Sequence, residues 1–344
     1  MRILAFILLF LFNNGICAGQ VITDKQKIAD FKRDILNEVF MPRFDTLRLN
    51  DLMLVKEQHG VVRRITTFQK NKNIVLYEHY YSDTRKLMFT YALDTLGQQT
   101  GIENHYSEKG VWEYSINWDN GTWIAYDKKN YPFYSLQNKM KVKADSLISK
   151  MYGHSFLTKN AVWNVTGSYM SNAKEVERWT DLIKKTPTSF MFRYDVKLDK
   201  GKRYDRLIEF EIDKDGNFIP NEDEFVFGFE DVPDSLRRSF KLSYEDAIAK
   251  AKSLGLTEND SAKAVGLLYW ENFRKPIIYN GRFRFYVLLR TGTIDKDVPH
   301  GHSSRTIKYD VYSFNPWTGD FIEKKKMMAT NALKIGSGLI ADND

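Results

Sequence analysis

Val61-Val-Arg-Arg-Ile-Thr-Thr-Phe68, Ile74-Val-Leu-Tyr-Glu-His-Tyr80 and Lys86-Leu-Met-Phe-Thr-Tyr91 are three short runs crowded with β-branched and aromatic residues. Gly101-Ile-Glu-Asn-His-Tyr106, Val111-Trp-Glu-Tyr-Ser-Ile-Asn-Trp118 and Thr122-Trp-Ile-Ala-Tyr126 continue the series. Turn-forming residues stand between them: Asn71–Asn73, Ser82-Asp83, Thr95-Leu-Gly97, Glu108-Lys-Gly110 and Asp119-Asn-Gly121. Strand-length runs separated by such punctuation at intervals of about ten residues predict an antiparallel β-meander. The aromatic residues Trp112, Tyr114, Trp118, Trp123, Tyr126, Tyr131 and Tyr134 admit two readings: a stacking face for sugar or peptide, or a core set alternating with a surface set.

Upstream of the meander, Ile28, Phe31, Ile35 and Val39 recur at helical spacing, and Thr23 or Asp24 is placed to cap. A helix is expected over 23–40, ended by Met41-Pro42. Further back, Met1-Arg2 and the unbroken apolar run Ile3–Phe12 lead into Asn-Asn-Gly-Ile-Cys-Ala-Gly19. That order describes a secretory signal over 1–19. The run is too short for a bilayer span, which needs about 20 apolar residues. A lipoprotein signal with Cys17 as the lipidated residue is the alternative, although Asn14 and Ile16 stand where a leucine and a small residue belong. The expected location is secreted or periplasmic, with no transmembrane segment.

Downstream, the pattern repeats in outline. Lys139–Gly153 and Asn172–Lys185 carry helical spacing; Phe190–Leu198 and Tyr204–Ile212 alternate as strands, and Asp213-Lys-Asp-Gly-Asn217 makes a turn before Phe218-Ile219. A second copy opens with Leu242–Leu256, where Ser243 and Asp246 form a capping-box variant and Gly255 ends the helix. Val265–Trp270, Phe283–Leu289, Thr306–Phe314 and Asp320-Phe-Ile322 follow as strands, with Thr291–Ser304 as a long hairpin connection. Phe192-Arg-Tyr-Asp-Val-Lys-Leu198 aligns with Phe283-Arg-Phe-Tyr-Val-Leu-Leu289, and Asp215-Gly-Asn-Phe-Ile219 with Thr318-Gly-Asp-Phe-Ile322. The expected class is therefore α+β: an N-terminal helix and antiparallel meander, then two tandem helix-on-antiparallel-sheet units. The expected division is 1–19 signal, 20–135 helix plus meander, 139–232 and 238–328 the two units, and 329–344 a polar tail.

Two resemblances attach to these residues. The opening Leu242-Ser-Tyr-Glu-Asp-Ala-Ile-Ala-Lys-Ala251, the strand Phe285-Tyr-Val287 and the closing Tyr309-Asp-Val-Tyr-Ser-Phe-Asn-Pro-Trp-Thr-Gly-Asp320 resemble the PepSY domain family of secreted bacterial proteins. The resemblance spans 241–327, with a diverged copy in 139–227; Phe314-Asn-Pro-Trp317 departs from the family's Val-Asp turn. It implies a cystatin-like helix on a sheet and a non-catalytic module that binds or inhibits a protein or peptidase partner. Leu93-Asp-Thr-Leu-Gly-Gln-Gln-Thr-Gly-Ile-Glu-Asn-His-Tyr-Ser-Glu-Lys-Gly110 is similar to MORN-type β-repeats, within 75–126.

Motifs for chemistry are sparse. Walker, dinucleotide, nucleophile-elbow and His-Glu-x-x-His patterns are lacking. His300-Gly-His302 can offer two imidazoles to one zinc ion, with Asp295 or Asp297 adding a carboxylate, or it is an ordinary solvated loop. That pair is the anchor for a rival reading as an envelope hydrolase; a structural envelope component is a third. Asp213, Asp215, Asn217 and Glu224 stand at calcium-loop positions, but Phe218 replaces the glycine such a loop needs at its bend. No cofactor is required by the sequence; zinc and calcium are the ions those loops admit.

The chain of 344 residues carries a formal charge of +7 and a single cysteine, which excludes a disulfide framework. Lysines and arginines are scattered, so a nucleic-acid partner is not expected. The charge is uneven: residues 209–235 hold ten acidic residues against one lysine. If charge guides a protein or peptide partner, Glu222, Asp223 and Glu224 are the candidate contacts.

Overall fold

The computed structural model describes residues 23–37, 44–59, 62–69, 73–172, 175–199, 202–219, 239–259, 262–272, 281–298, 302–332 and 339–341. The expected signal over 1–19 lies outside them. The chain divides into two compact units, 1–113 and 114–344. Among the described residues there are nineteen strands and four helices.

Helix α1 (Asp24–Asn37) starts the first unit. Thr23 caps it, its Oγ1 accepting the Gln26 N–H at 3.2 Å. Strands β1 (Phe44–Arg48), β2 (Leu52–His59), β3 (Val62–Gln69), β4 (Ile74–Tyr81), β5 (Leu87–Leu93) and β6 (Gln99–Tyr106) follow. With β7 (Trp112–Asn117) and β8 (Thr122–Ala125) they make an antiparallel sheet whose strand order is the chain order. The meander is therefore present, and it is longer than the sequence runs indicated, since β1 and β2 precede them. The core of the first unit is small: Phe31 of α1 packs with Leu54, Ile65 and Tyr80.

In the second unit, α2 (Tyr134–Tyr152) and α3 (His154–Lys159) precede a six-stranded sheet. Its strands are β9 (Ala161–Trp163), β10 (Tyr169–Asn172), β11 (Glu175–Arg178), β12 (Ser189–Lys197), β13 (Arg203–Asp213) and β14 (Phe218–Ile219). Helix α4 (Tyr244–Ser253) then leads to a five-stranded sheet of β15 (Val265–Asn272), β16 (Gly281–Val298), β17 (His302–Phe314), β18 (Phe321–Ala332) and β19 (Leu339–Ala341). Ser243 caps α4 as expected, its Oγ accepting the Asp246 N–H at 3.1 Å. One apolar core runs through the unit. Alternate residues of β12 and β13, such as Phe190, Phe192, Tyr194, Ile208 and Phe210, meet Met140, Ala144 and Ile148 of α2. The same core takes in Phe283 and Phe285 of β16, Phe314 of β17, and Trp317.

The α+β expectation is thus corrected. The protein is mainly β, built on three antiparallel sheets, the first an eight-stranded meander, and without the expected tandem of helix-on-sheet units. Two misread segments account for much of the difference. The helix expected over 172–185 is the end of β10, the strand β11 and an irregular stretch. Val176, Trp179 and Ile183 have helical spacing, yet Val176 is 70% exposed on β11 while Trp179 is buried. Spacing matched the helical period here because a short strand and a loop happened to send Trp179 and Ile183 into one core. The hairpin connection expected over Thr291–Ser304 is instead strand: Thr293 pairs with Ile307, Asp295 with Arg305, and Val298 with His302. A ribbon with so few apolar residues lacks hydrophobic alternation, so its ladder leaves no period-two signal.

Candidate functional site

Period-two alternation gives the first unit's meander two distinct faces. On the face that meets α1, register places Leu47, Leu54, Thr67, Leu76, Ala92 and Thr100 in one row across β1 to β6. The neighbouring row holds Lys56, Ile65, Glu78 and Thr90. Phe31 of α1 packs on Leu54, Ile65 and Tyr80 of this face. A cavity of about 400 Å³ opens beside it, bounded by Ile28 and Lys32 of the helix and floored by Leu54, Leu76, Ala92 and Ile102. Thr67, Gln69, Glu78 and Thr90 are polar groups of its lining, Thr67 within the floor row. Leu76 is 37% and Ile102 58% exposed, so the apolar floor continues into solvent.

Two contacts fix the helix over the groove. Lys32 Nζ donates to Glu78 Oε2 at 2.5 Å, joining helix to floor. The buried Lys56 ammonium lies 4.9 Å from the centre of the Phe31 ring and 3.2 Å from the Asp45 carboxylate. A cation held over an aromatic face contributes about 0.5–2 kcal/mol, depending on how far it is desolvated. Burial, and then the Glu78 charge, raise the Tyr80 hydroxyl well above the ordinary phenol value, so Tyr80 stays neutral beneath the helix. The groove therefore has an apolar floor interrupted by Thr67, the Lys32–Glu78 ion pair at its wall, and Thr90 and Gln69 on opposite sides of the Leu54–Leu76 row.

The opposite face is built differently. Tyr77 stacks on Tyr91 at 4.7 Å, His79 on Phe89 at 4.2 Å, and Phe89 on His105 at 5.3 Å, all within 12° of parallel. Parallel rings at the spacing of neighbouring strands stand on edge, so this face is a packed ladder and presents ring edges. His105 Nε2 lies 2.5 Å from Glu103 Oε1, and Arg64 pairs with Glu57.

The residues singled out from sequence fall elsewhere. Asp213 Oδ1 accepts the N–H groups of Asp215 and Asn217 at 2.8 and 2.9 Å, and its Oδ2 accepts Asn217 Nδ2 at 3.0 Å. The Asn217 hydrogen bonds hold the Asp213 carboxyl below the usual range. The Asp215 carboxylate lies 3.3 Å from Lys214 Nζ. The structure thus brings Asp213, Asp215 and Asn217 together as a tight turn with Gly216 at φ 87°, while Glu224 lies outside the described residues. His300 also lies outside them, as does the side chain of His302, whose backbone is in β17; Asp295 forms an exposed pair with Arg305 at 2.7 Å. Among the described residues, no group of three or more His, Cys, Asp or Glu is placed to hold a metal ion. Glu222, Asp223 and Glu224 are outside the described residues. Trp118, Trp123 and Tyr131 are buried in the second unit's core, whereas Trp112 and Tyr126 are more than 40% exposed, which matches an alternating core set.

Sequence reasoning missed Lys32, Glu78 and the row through Leu54 and Leu76. Leu52-Met-Leu-Val55 carried a signal, an apolar run of strand length just before the recognised strands. The Lys32–Glu78 pairing spans 46 positions and left no local trace.

No family model matches the chain. No curated protein matches it either. A solved structure, the Bacillus megaterium YpeB C-terminal domain, is similar at 12% identity over 88% of this chain and 96% of that one, with a TM-score of 0.15. At that score the likeness carries no argument about fold or function. Among the described residues, no helix is long and apolar enough to cross a membrane.

Proposed function

We propose that the protein is a secreted or periplasmic, non-catalytic binding module that holds an extended peptide segment of a protein partner in the groove beside α1. The location follows the signal-like pattern of residues 1–19. The observation that carries the binding role is the groove itself: about 400 Å³, with Leu54, Leu76, Ala92 and Ile102 along its floor. That volume is within the ordinary range for small-ligand sites. An extended peptide suits it because aliphatic side chains on one edge of the peptide meet the apolar row. Its backbone amides then find Gln69 on one side of that row and Thr90 on the other. The PepSY-like residues of 241–327 agree with a binding or inhibitory role, peptidases being one class of partner.

The test is fluorescence anisotropy with a panel of short peptides carrying alternate aliphatic residues. Leu76→Asp and Ile102→Asp alter exposed positions and leave the core intact. Saturable binding lost in both variants is the expected result. Equal affinity in wild type and variants, or no binding across the panel, overturns the reading.

A further inference from the structure

Among the described residues, Lys32 and Glu78 are the charged members of the lining of the groove beside α1. They are not held alike. Glu78 comes from β4, an inner strand of the eight-stranded sheet. Its side chain is 22% exposed, and that of Lys32 is 34% exposed. Glu78 Oε1 accepts the hydroxyl of the buried Tyr80 at 3.4 Å, while Oε2 accepts Lys32 Nζ at 2.5 Å. Lys32 reaches across from the helix on a flexible aliphatic stem, and its ammonium is strongly hydrated once released. The carboxylate is thus the fixed charge of the groove, and the ammonium is its exchangeable counterion.

What can replace that counterion follows from position. Glu78 stands two residues from Leu76 on the same face of β4, about 7 Å along the strand. Leu76 is 37% exposed and forms part of the groove floor. A ligand side chain laid along Leu76 therefore needs an apolar stem and, at its end, a group that suits a carboxylate. Lysine and arginine are built that way, their methylene stems covering apolar surface while the charged head keeps a polar partner. A cation there exchanges one ion pair for another. An acidic side chain meets Glu78 head on. A wholly apolar one either leaves the Lys32–Glu78 pair in place or strands the carboxylate, and stranding a partly buried charge is costly.

We infer that the partner segment is basic: an extended peptide whose floor-facing side chains are aliphatic apart from one lysine or arginine, which takes the place of Lys32 at Glu78. The inference rests on the peptide-groove reading given above and names the class of partner. Lys32 is an internal stand-in for the partner's cation. It keeps Glu78 paired in the unliganded protein and competes with the incoming cation, so its removal favours basic segments alone.

Fluorescence anisotropy on the whole protein tests this with three labelled peptides of alternating aliphatic residues, carrying lysine, norleucine or glutamate at one central floor-facing position. In the wild type the lysine peptide binds about tenfold more tightly than the glutamate peptide, equivalent to 1.4 kcal/mol. Lys32→Met tightens the lysine peptide by a similar factor and gives the norleucine peptide no gain. Glu78→Gln brings the three peptides to equal affinity. Circular dichroism verifies the fold of both variants, and the wild-type comparison needs neither. Wild-type affinities that are equal for all three peptides, or highest for glutamate, overturn the basic partner and leave the groove reading standing. So does a Lys32→Met variant whose lysine and norleucine affinities change together. Failure of all three peptides to bind removes the groove reading and this inference with it.

Discussion

The two compact units bury their apolar residues on different scales. The first unit gathers Phe31, Leu54, Ile65 and Tyr80 under α1, while Leu76 and Ile102 of the same sheet face are 37% and 58% exposed. The second unit joins two sheets and three helices through one core, in which Trp179, Trp317, Tyr152, Tyr194 and Phe283 are all below 2% exposure. A sheet whose face is fully covered has no surface to offer there. A sheet with one partial cover offers a groove at the margin of that cover. The difference teaches where function is to be sought: the proposed groove lies where the core is thin.

Substitutions can break that comparison. Trp317→Ala empties a site packed by Phe240, Phe156 and Phe283. A loss of about 3–5 kcal/mol is expected, as for large-to-small changes in dense cores, read by urea denaturation. Gly266→Ala brings a Cβ to 2.4 Å from the Tyr244 ring and 2.6 Å from the Phe285 ring. Overpacking of this kind costs about 1–3 kcal/mol and shows as a lower thermal midpoint. In the first unit, Phe31→Ala should cost about 2 kcal/mol, under the usual range for a buried aromatic because α1 can settle onto the floor. Equal losses for Trp317→Ala and Phe31→Ala would remove the distinction between thick and thin cores.

Smaller effects sharpen it. Burial alone would raise the Glu271 carboxyl; the Arg282 hydrogen bond and the charges of Arg282, Lys325 and Arg284 outweigh it and hold the group below its usual value. Its contribution is therefore complete above the ordinary value of 4.5 and is lost as pH falls through the lowered folded value. Wild-type stability should therefore decline below about pH 4.5 by more than that of Glu271→Gln, a difference measured by acid titration of the unfolding midpoint. Lys32→Ala removes a half-exposed ion pair and should cost no more than about 0.5 kcal/mol in stability. Hydrogen exchange of α1 amides should nevertheless accelerate in that variant, because the pair ties helix to sheet.

Much of the local structure was legible. The runs at 61–68, 74–80, 86–91 and 101–106 became β3 to β6 with shifts of one or two residues at their ends. Alternation on a half-covered sheet is a strong signal, and Gly97, Gly110 and Gly121 mark its turns with positive φ. Strand β1, Phe44-Asp-Thr-Leu-Arg48, was not legible because five residues carry too little pattern. The groove was not legible either. Leu54, Leu76 and Ala92 are neighbours only through strand register, and nothing in their own surroundings distinguishes them from other strand residues.

The sequence by itself determined the strand runs of the meander, the Ser243-capped helix and the uneven charge, because alternation, capping and charge are properties of neighbouring residues. Tertiary structure alone decided the rest. It set the predominance of sheet over helix, the extension of a polar connection into the β16–β17 ribbon, the groove between α1 and its sheet, and the meeting of Glu271 with Arg282, Arg284 and Lys325. Each of these depends on which strand lies beside which, and pairing over long stretches of chain is set by how apolar faces find cover, not by any single segment.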